Sequence, residues 1–355
     1  MYIKKSLIVL SILITQNIHS QVLLEANEAG NTYEDINAVL APGYDVIEAP
    51  DCNHSQFGRH IEEVFDKELN TDVFKFSIHT SPDNDRCKKY DRQRNEIKTY
   101  ASSPNYLKAT KGETVEYKWK FKLPKDFKVS SSFTHIHQIK SVGGPYASIP
   151  MISLTLRKGS KDKLELRYTS TNKQTTIKTM DLDQIKGHWV EVKELITFSN
   201  QGSYAIELKK VLTNETVFSY ENLKMDMWQE EALFSRPKWG IYRSLNNSQD
   251  LKDESLLYAS FSIQEIDLKL TAQNFLDKAI PQTLTSKSTE TFLNIKSVKP
   301  KDINAFVLFD NKANLIGEFK IDKNNFDTTS LAVGNYFMVF YKNSKVFKVI
   351  KYVIN

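Results

Sequence analysis

The chain has 355 residues, 48 Lys and Arg against 43 Asp and Glu, a net charge of +5, and only two cysteines. The positive excess is local: residues 285–355 hold 11 Lys and 6 acidic residues, so residues 1–284 are neutral overall. That distribution excludes the broad basic field of a nucleic-acid binder, and any attraction to an acidic ligand must come from a local cluster of cations. The length exceeds one ordinary domain and implies a large unit with a smaller one.

In chain order, Lys4 and Lys5 precede an apolar run from Leu7 to Ile14, and small and polar residues follow to Ser20. This reads as a signal peptide over residues 1–20, and it implies a soluble, exported protein. Beyond it the sequence has no apolar run of about 20 residues, so no membrane span is expected. In an exported protein the pair Cys52 and Cys87 is expected to form a disulfide.

Alternation and β-branched or aromatic enrichment predict strands over 64–78, 91–99, 114–123, 133–141, 151–157, 163–169, 189–198, 203–211, 216–221, 239–243 and 258–270. Ten or so strands with short turns and little helix imply an all-β, antiparallel jelly roll over residues 21–272. The turn-rich Ser81-Pro82-Asp83-Asn84-Asp85 stretch carries oxygen donors of the kind a structural Ca²⁺ takes. Residues 273–288 read as a linker, and residues 289–355 as a small β-sandwich whose aromatic residues alternate as if facing a core.

Three segments carry candidate chemistry. In Arg92-Gln93-Arg94-Asn95-Glu96-Ile97-Lys98, strand alternation puts Arg92, Arg94, Glu96 and Lys98 on one face, three cations around one carboxylate. In Thr134-His135-Ile136-His137-Gln138-Ile139-Lys140, a regular strand places Gln138 and Lys140 with Ile136, and His135, His137 and Ile139 opposite. The histidine spacing fits a metal chelate, but no third ligand cluster stands out, so the histidines are read as buried and hydrogen-bonded, with no metal at the site. In Arg236-Pro237-Lys238-Trp239-Gly240-Ile241-Tyr242-Arg243-Ser244, Lys238, Gly240, Tyr242 and Ser244 face one way, with Gly240 expected to leave room for a ligand beside Tyr242.

Together the three segments resemble, in the same order, the motifs of jelly-roll alginate lyases of polysaccharide lyase family 7. Arg94-Asn95-Glu96-Ile97-Lys98 is similar to their Arg-x-Glu-Leu-Arg strand, Gln138-Ile139-Lys140 to Gln-Ile-His, and Lys238 to Ser244 to Lys-Ala-Gly-x-Tyr-x-Gln. The departure is Lys140 in place of histidine, which shifts the resemblance towards ulvan lyases (family 28) and glucuronan lyases (family 20). The end of the chain, with Val307–Lys312, Asp327–Asn335 and Gly334 before Tyr336, resembles the C-terminal sorting domain of type IX secretion cargo.

The resemblance implies β-elimination on a uronic-acid polysaccharide, ulvan ahead of glucuronan and alginate, with Lys140, Tyr242, Arg94 and Gln138 catalytic. Arg92, Glu96, Lys98, Lys238 and Arg243 would bind substrate. Arg94 and Gln138 would neutralise the carboxylate so that the C5 proton can leave. Tyr242, as a phenolate among cations, could serve as base and acid where C5–H and O4 lie on one side; where they are opposed, Lys140 would be base and Tyr242 acid. A glycoside hydrolase needs two suitably spaced carboxylates, and Glu96 alone stands in these segments. A non-catalytic binder of acidic glycans is the competing class. The expected partners are the polysaccharide and the type IX secretion machinery, the protein acting as a monomer without a cofactor.

Overall fold

The protein is described by a computed structural model covering residues 21–27, 30–266, 283–297, 303, 305–311, 315–321, 324–342 and 345–355. The signal-peptide reading and residues 273–282 of the linker lie outside these.

The chain begins with a short strand, β1 (Val22–Leu24), a helix, α1 (Thr32–Leu40), and a two-residue strand, β2 (Ile47–Glu48). Helix α1 escapes the strand-centred reading, although Ile36 and Leu40 repeat at helical spacing and are both buried. The predicted strand over 64–78 is two: β3 (Ile61–Asp66) and β4 (Thr71–Ile78) form a hairpin. Its turn is built by Asp66, whose carboxylate accepts the backbone N–H groups of Glu68 and Leu69, and by Asn70 at φ 54°.

There follow β5 (Arg92–Lys98), β6 (Thr114–Lys122), β7 (Thr134–Val142), β8 (Ile152–Arg157), β9 (Lys163–Tyr168) and β10 (Thr175–Asp181). The set is completed by β11 (Trp189–Thr197), β12 (Gly202–Lys210), β13 (Thr216–Met225), β14 (Phe234–Ser244) and β15 (Glu254–Glu265). One sheet runs β13-β12-β11-β6-β15-β4-β3, with β1 on β15; the other runs β10-β9-β8-β7-β14-β5-β2. All these pairings are antiparallel, as the jelly-roll reading expects.

The sheets pack face to face through one apolar cluster, where Trp239 of β14 meets Phe261 of β15 at 5.0 Å between ring centroids. A buried polar link crosses the same interface: His137 on β7 bonds Glu194 on β11 at 2.9 Å, and Tyr204 donates to the other Glu194 oxygen. The seven-stranded sheet therefore has an apolar inner face and a second face free to carry chemistry. Cys52 and Cys87 are joined in a disulfide, as expected.

The C-terminal residues form a separate cluster around Phe306, Leu308, Met338, Phe340 and Tyr352. Its strands are β16 (Thr283–Ser286), β17 (Phe292–Asn294), β18 (Ala305–Asp310), β19 (Leu315–Lys320), β20 (Asn325–Asp327), β21 (Gly334–Lys342) and β22 (Lys345–Ile354). Residues 283–286, expected to be linker, pair in parallel with β22 and belong to this sheet.

Candidate active site

The site lies on the outer face of β5, β14 and β7. Tyr242 sits between Arg94 on β5 and His135 on β7, Lys238 between Lys98 and Gln138, and Arg236 beside Lys140. The catalytic candidates thus form one row, with Lys140 at one end and Tyr242 at the other. From Arg236 to Tyr242 the strand advances six residues, roughly 16–20 Å at about 3.3 Å each.

Two bulges shape the row. At Gly240, φ is 135° and a Cβ would stand 2.1 Å from the Asn95 carbonyl oxygen. The glycine is thus required by the close approach of β5, and the space beside it is filled by backbone, not kept open for a ligand as the sequence implied. On β7 the register slips at Ile136. The slip turns Ile136 into the core and His135 to the site, where its ring lies 4.8 Å from Phe133 and 5.8 Å from Tyr242. The regular alternation expected for this strand fails there. Tyr258 of the opposite sheet puts its hydroxyl within 2.9 Å of the Ile136 carbonyl and 2.8 Å of the Gly240 carbonyl, so both bulges are anchored from below.

A cluster of opposite charges lies beneath the row. Glu96 is fully buried, bonded by Gln138 and Lys238 and, at 2.7 Å, by Arg94. Glu48, which sequence reasoning missed because its strand is two residues long, bonds Lys238, Lys98 at 2.7 Å, Arg94 at 3.2 Å and Arg86 at 2.6 Å. Burial alone would raise both carboxyls, but Lys238 and Arg94 outweigh it and hold both below the usual range. Burial pushes Lys238 down to about 8 even beside these carboxylates.

These contacts correct several expected roles. Glu96 and Lys238 are supports beneath the surface, not substrate contacts. Arg94 bonds Asp85 through Nε and Glu48 and Glu96 through Nη1, and its guanidinium lies 3.7 Å from the centre of the Tyr242 ring. Gln138 spends its amide nitrogen on Glu96. Arg243 is on the inner face, fully buried, bonding Gln93 at 2.7 Å and the Lys252 carbonyl at 2.9 Å; a neighbour in sequence to Tyr242, it points the other way and does not bind substrate. Lys98 remains at the edge of the row, bound to Glu48.

The groups left to act are few. Arg92 donates to the Tyr242 hydroxyl at 2.8 Å. Lys140 bonds the Ser148 carbonyl at 2.9 Å, and burial, with Lys238, Arg236 and Arg94 nearby, lowers its amine to about 7. Arg236, in a predicted segment but given no role, is buried with its Nε and Nη1 unpartnered, 5.3 Å from the Tyr100 ring centre. The signal for it was present: position 236 shares parity with 238 and 242. His135 bonds Thr155 at 2.7 Å, and burial lowers it to about 3, so its imidazole is neutral at ordinary pH.

His135 and His137 lie on opposite faces, which rules out a shared chelate. Groups able to hold a metal come together elsewhere: His54, His60, His79 and Asp83 place donor atoms within 4.8 Å of one another. They come from two stretches, 54–60 and 79–83, and nothing in either stretch alone announces the group.

Solved structures similar to the chain include a glucuronan lyase from Trichoderma reesei, at 15% identity over 57% of this chain and 86% of that one, TM-score 0.40. An alginate lyase from Aplysia kurodai is 13% identical over 70% of this chain and 100% of that one, TM-score 0.48. The family-7 alginate lyase A1-II′ is 13% identical over 62% and 94%, TM-score 0.42. No curated protein matches the sequence. The model of one protein family, described as polysaccharide lyase, matches residues 61–261. That span is more than half of the chain, and the chain belongs to this polysaccharide lyase family.

Proposed function

We propose that the protein cleaves a uronic-acid polysaccharide, ulvan first, by β-elimination with Lys140 as base and Tyr242 as acid. The observation that carries this is the placement of an amine lowered to about 7 at one end of the row and a tyrosine held by Arg92 and Arg94 at the other. The strand positions of the two lie roughly 16–20 Å apart. Both long side chains must therefore lean inwards along the row for one uronate to meet the amine on one side and the phenol on the other, as opposed C5–H and O4 require. Lys140 takes the C5 proton, the electron pair forms the C4–C5 double bond, the C4–O4 bond breaks and Tyr242 protonates O4.

Arg236 stands beside Lys140 with no carboxylate bonded to its guanidinium, and this places a cation where the substrate carboxylate must be neutralised, although its Nε and Nη1 are themselves buried. Hydrolysis is disfavoured because Glu48 and Glu96 are buried and committed to cations. The preference for ulvan rests on the Gln138-x-Lys140 pattern. Export fits the disulfide, and passage through type IX secretion rests on the residue pattern of the last 67 positions.

Incubation with ulvan, glucuronan and alginate, followed by ultraviolet absorbance of the unsaturated uronate, tests the reading. Absorbance appearing fastest on ulvan is expected; a faster rate on another polymer reassigns the substrate, and silence on all three with binding retained refutes elimination.

A further inference from the structure

We propose that His54, His60, His79 and Asp83 bind one structural divalent cation of the imidazole-preferring kind, Zn²⁺ above all. Three histidines from two stretches of chain, 54–60 and 79–83, converge on one carboxylate whose side chain is wholly buried. His54 Nδ1 lies 2.9 Å from one Asp83 oxygen, His60 Nε2 3.2 Å from the same oxygen, and His79 Nδ1 3.1 Å from the other.

The chemistry of the donors argues for a cation among them. Four zinc ligands at about 2.0–2.1 Å in a tetrahedron stand about 3.3 Å apart. The three carboxylate–imidazole separations are already close to that edge, and the widest separation in the cluster, 4.8 Å, must draw in. His60 is buried with both ring nitrogens facing carboxylates, Nδ1 at 2.7 Å from Asp51 and Nε2 towards Asp83. If Nδ1 carries the proton given to Asp51, Nε2 offers its lone pair to the centre, the outer carboxylate orienting the imidazole as it does for metal-bound histidines. Asp51 is fixed in turn by the Tyr33 hydroxyl at 2.8 Å. Phe57 covers one side of the group, its ring centre 4.3 Å from that of His79 and 4.7 Å from that of His60. Three nitrogens and one oxygen form a closed four-ligand set, unsuited to Ca²⁺ or Mg²⁺, which take six or more oxygens. The carboxylates of the Asp83–Asp85 turn are therefore not an oxygen cage: Asp83 faces imidazoles, and Asp85 bonds Arg86 and Arg94.

The position gives the cation a purpose. Gln93 of β5 donates to the Asp83 carbonyl at 3.0 Å, and Asp85, two residues on, accepts from Arg94. The Cys52–Cys87 disulfide closes the same region, two residues from His54 and four from Asp83. A cation holding Asp83 fixes the turn that holds Arg94 against Tyr242. It does not take part in the elimination.

The test uses the full chain, stripped with chelator and titrated with Zn²⁺ and Co²⁺. One ion per chain, an upward shift of several degrees in melting temperature, no shift with Ca²⁺ at equal concentration, and the intense visible absorption of tetrahedral Co²⁺ are expected. His54→Gln and His79→Gln, at the partly exposed side of the cluster, should each weaken Zn²⁺ binding by about 100-fold or more, and Asp51→Asn by roughly 10–100-fold. Folded, stripped protein that takes up neither metal at micromolar concentration overturns the proposal, as does uptake unchanged in both histidine variants. Neither outcome touches the elimination reading, which the polymer assay decides.

Discussion

Replacing Lys140 by Met separates what the site gains from what the fold gives up. Burial beside Lys238, Arg236 and Arg94 lowers the amine from the ordinary 10.5 to about 7. The native state therefore binds fewer protons than the unfolded chain between about pH 7 and 10.5, and wild-type stability rises with pH through that window. A depression of that size corresponds to a ceiling of about 4 kcal/mol at pH 7. Lys140 is partly exposed, and solvent screening reduces the realised cost to about 1–2 kcal/mol. Loss of the bond to the Ser148 carbonyl takes back about 1 kcal/mol at every pH. The readout is thus the difference between variant and wild type in urea unfolding across pH 6–10. Met should be relatively most stabilising below pH 7, its advantage shrinking steadily as the pH climbs, while elimination falls by about 10²–10⁴-fold. In the wild type, kcat/KM should rise with pH through about 7 as the amine loses its proton. A stability difference that is flat with pH, or a variant that still eliminates, would refute the argument for Lys140.

Four further outcomes follow from the same contacts. Tyr242→Phe keeps the ring stacked under Arg94 but removes the proton for O4, so elimination should be lost while binding to immobilised polymer persists. Arg236→Met should raise KM at least about tenfold while the melting temperature rises, because it relieves the fold of a buried guanidinium with unpartnered nitrogens and takes away a cation beside Lys140. Glu48→Gln leaves Lys238, Lys98 and Arg86 short of a counter-charge and should cost about 3 kcal/mol in denaturant unfolding. Cys52→Ser opens a loop of sequence separation 35 and should cost about 3–4 kcal/mol in denaturant unfolding, measured against the oxidised wild type.

The sheet and most of its strands were legible because alternation is a local property, and Arg94, Gln138, Lys140 and Tyr242 do fall on one face of adjacent strands. Failures cluster where alternation breaks or where contact is made at long range. His135 changes face through the bulge at Ile136, which nothing in Thr134–Lys140 signals. Arg243 was drawn into the site by adjacency to Tyr242, although parity alone sends it inward, where Gln93 awaits it. Glu48 sits 48 residues before Glu96 on a strand too short to show a period, and the imidazole cluster draws on positions 54, 60, 79 and 83.

The arrangement of charge also explains how a cationic site can be buried without driving the fold apart. Lys238, Arg94 and Lys98 are matched by Glu48, Glu96 and Asp85, so the centre of the row carries little field of its own. What attraction the row exerts must come from its ends. At one end Lys140 and Arg236 have no carboxylate partner among the described residues, and at the other Arg92 holds the Tyr242 hydroxyl. On the proposed mechanism an acidic polymer would be drawn first to the Lys140 and Arg236 end of the row. The paired centre does the converse work: it holds Tyr242 and Gln138 in place before substrate arrives, so little reorganisation remains for the reaction itself. On this account exchanging a central pair, Glu96→Gln with Lys238→Met, should lower kcat by loosening Tyr242 and leave KM nearly unchanged, whereas Arg236→Met moves KM. Equal effects of the two variants on KM would show that the centre, and not the end, captures the polymer.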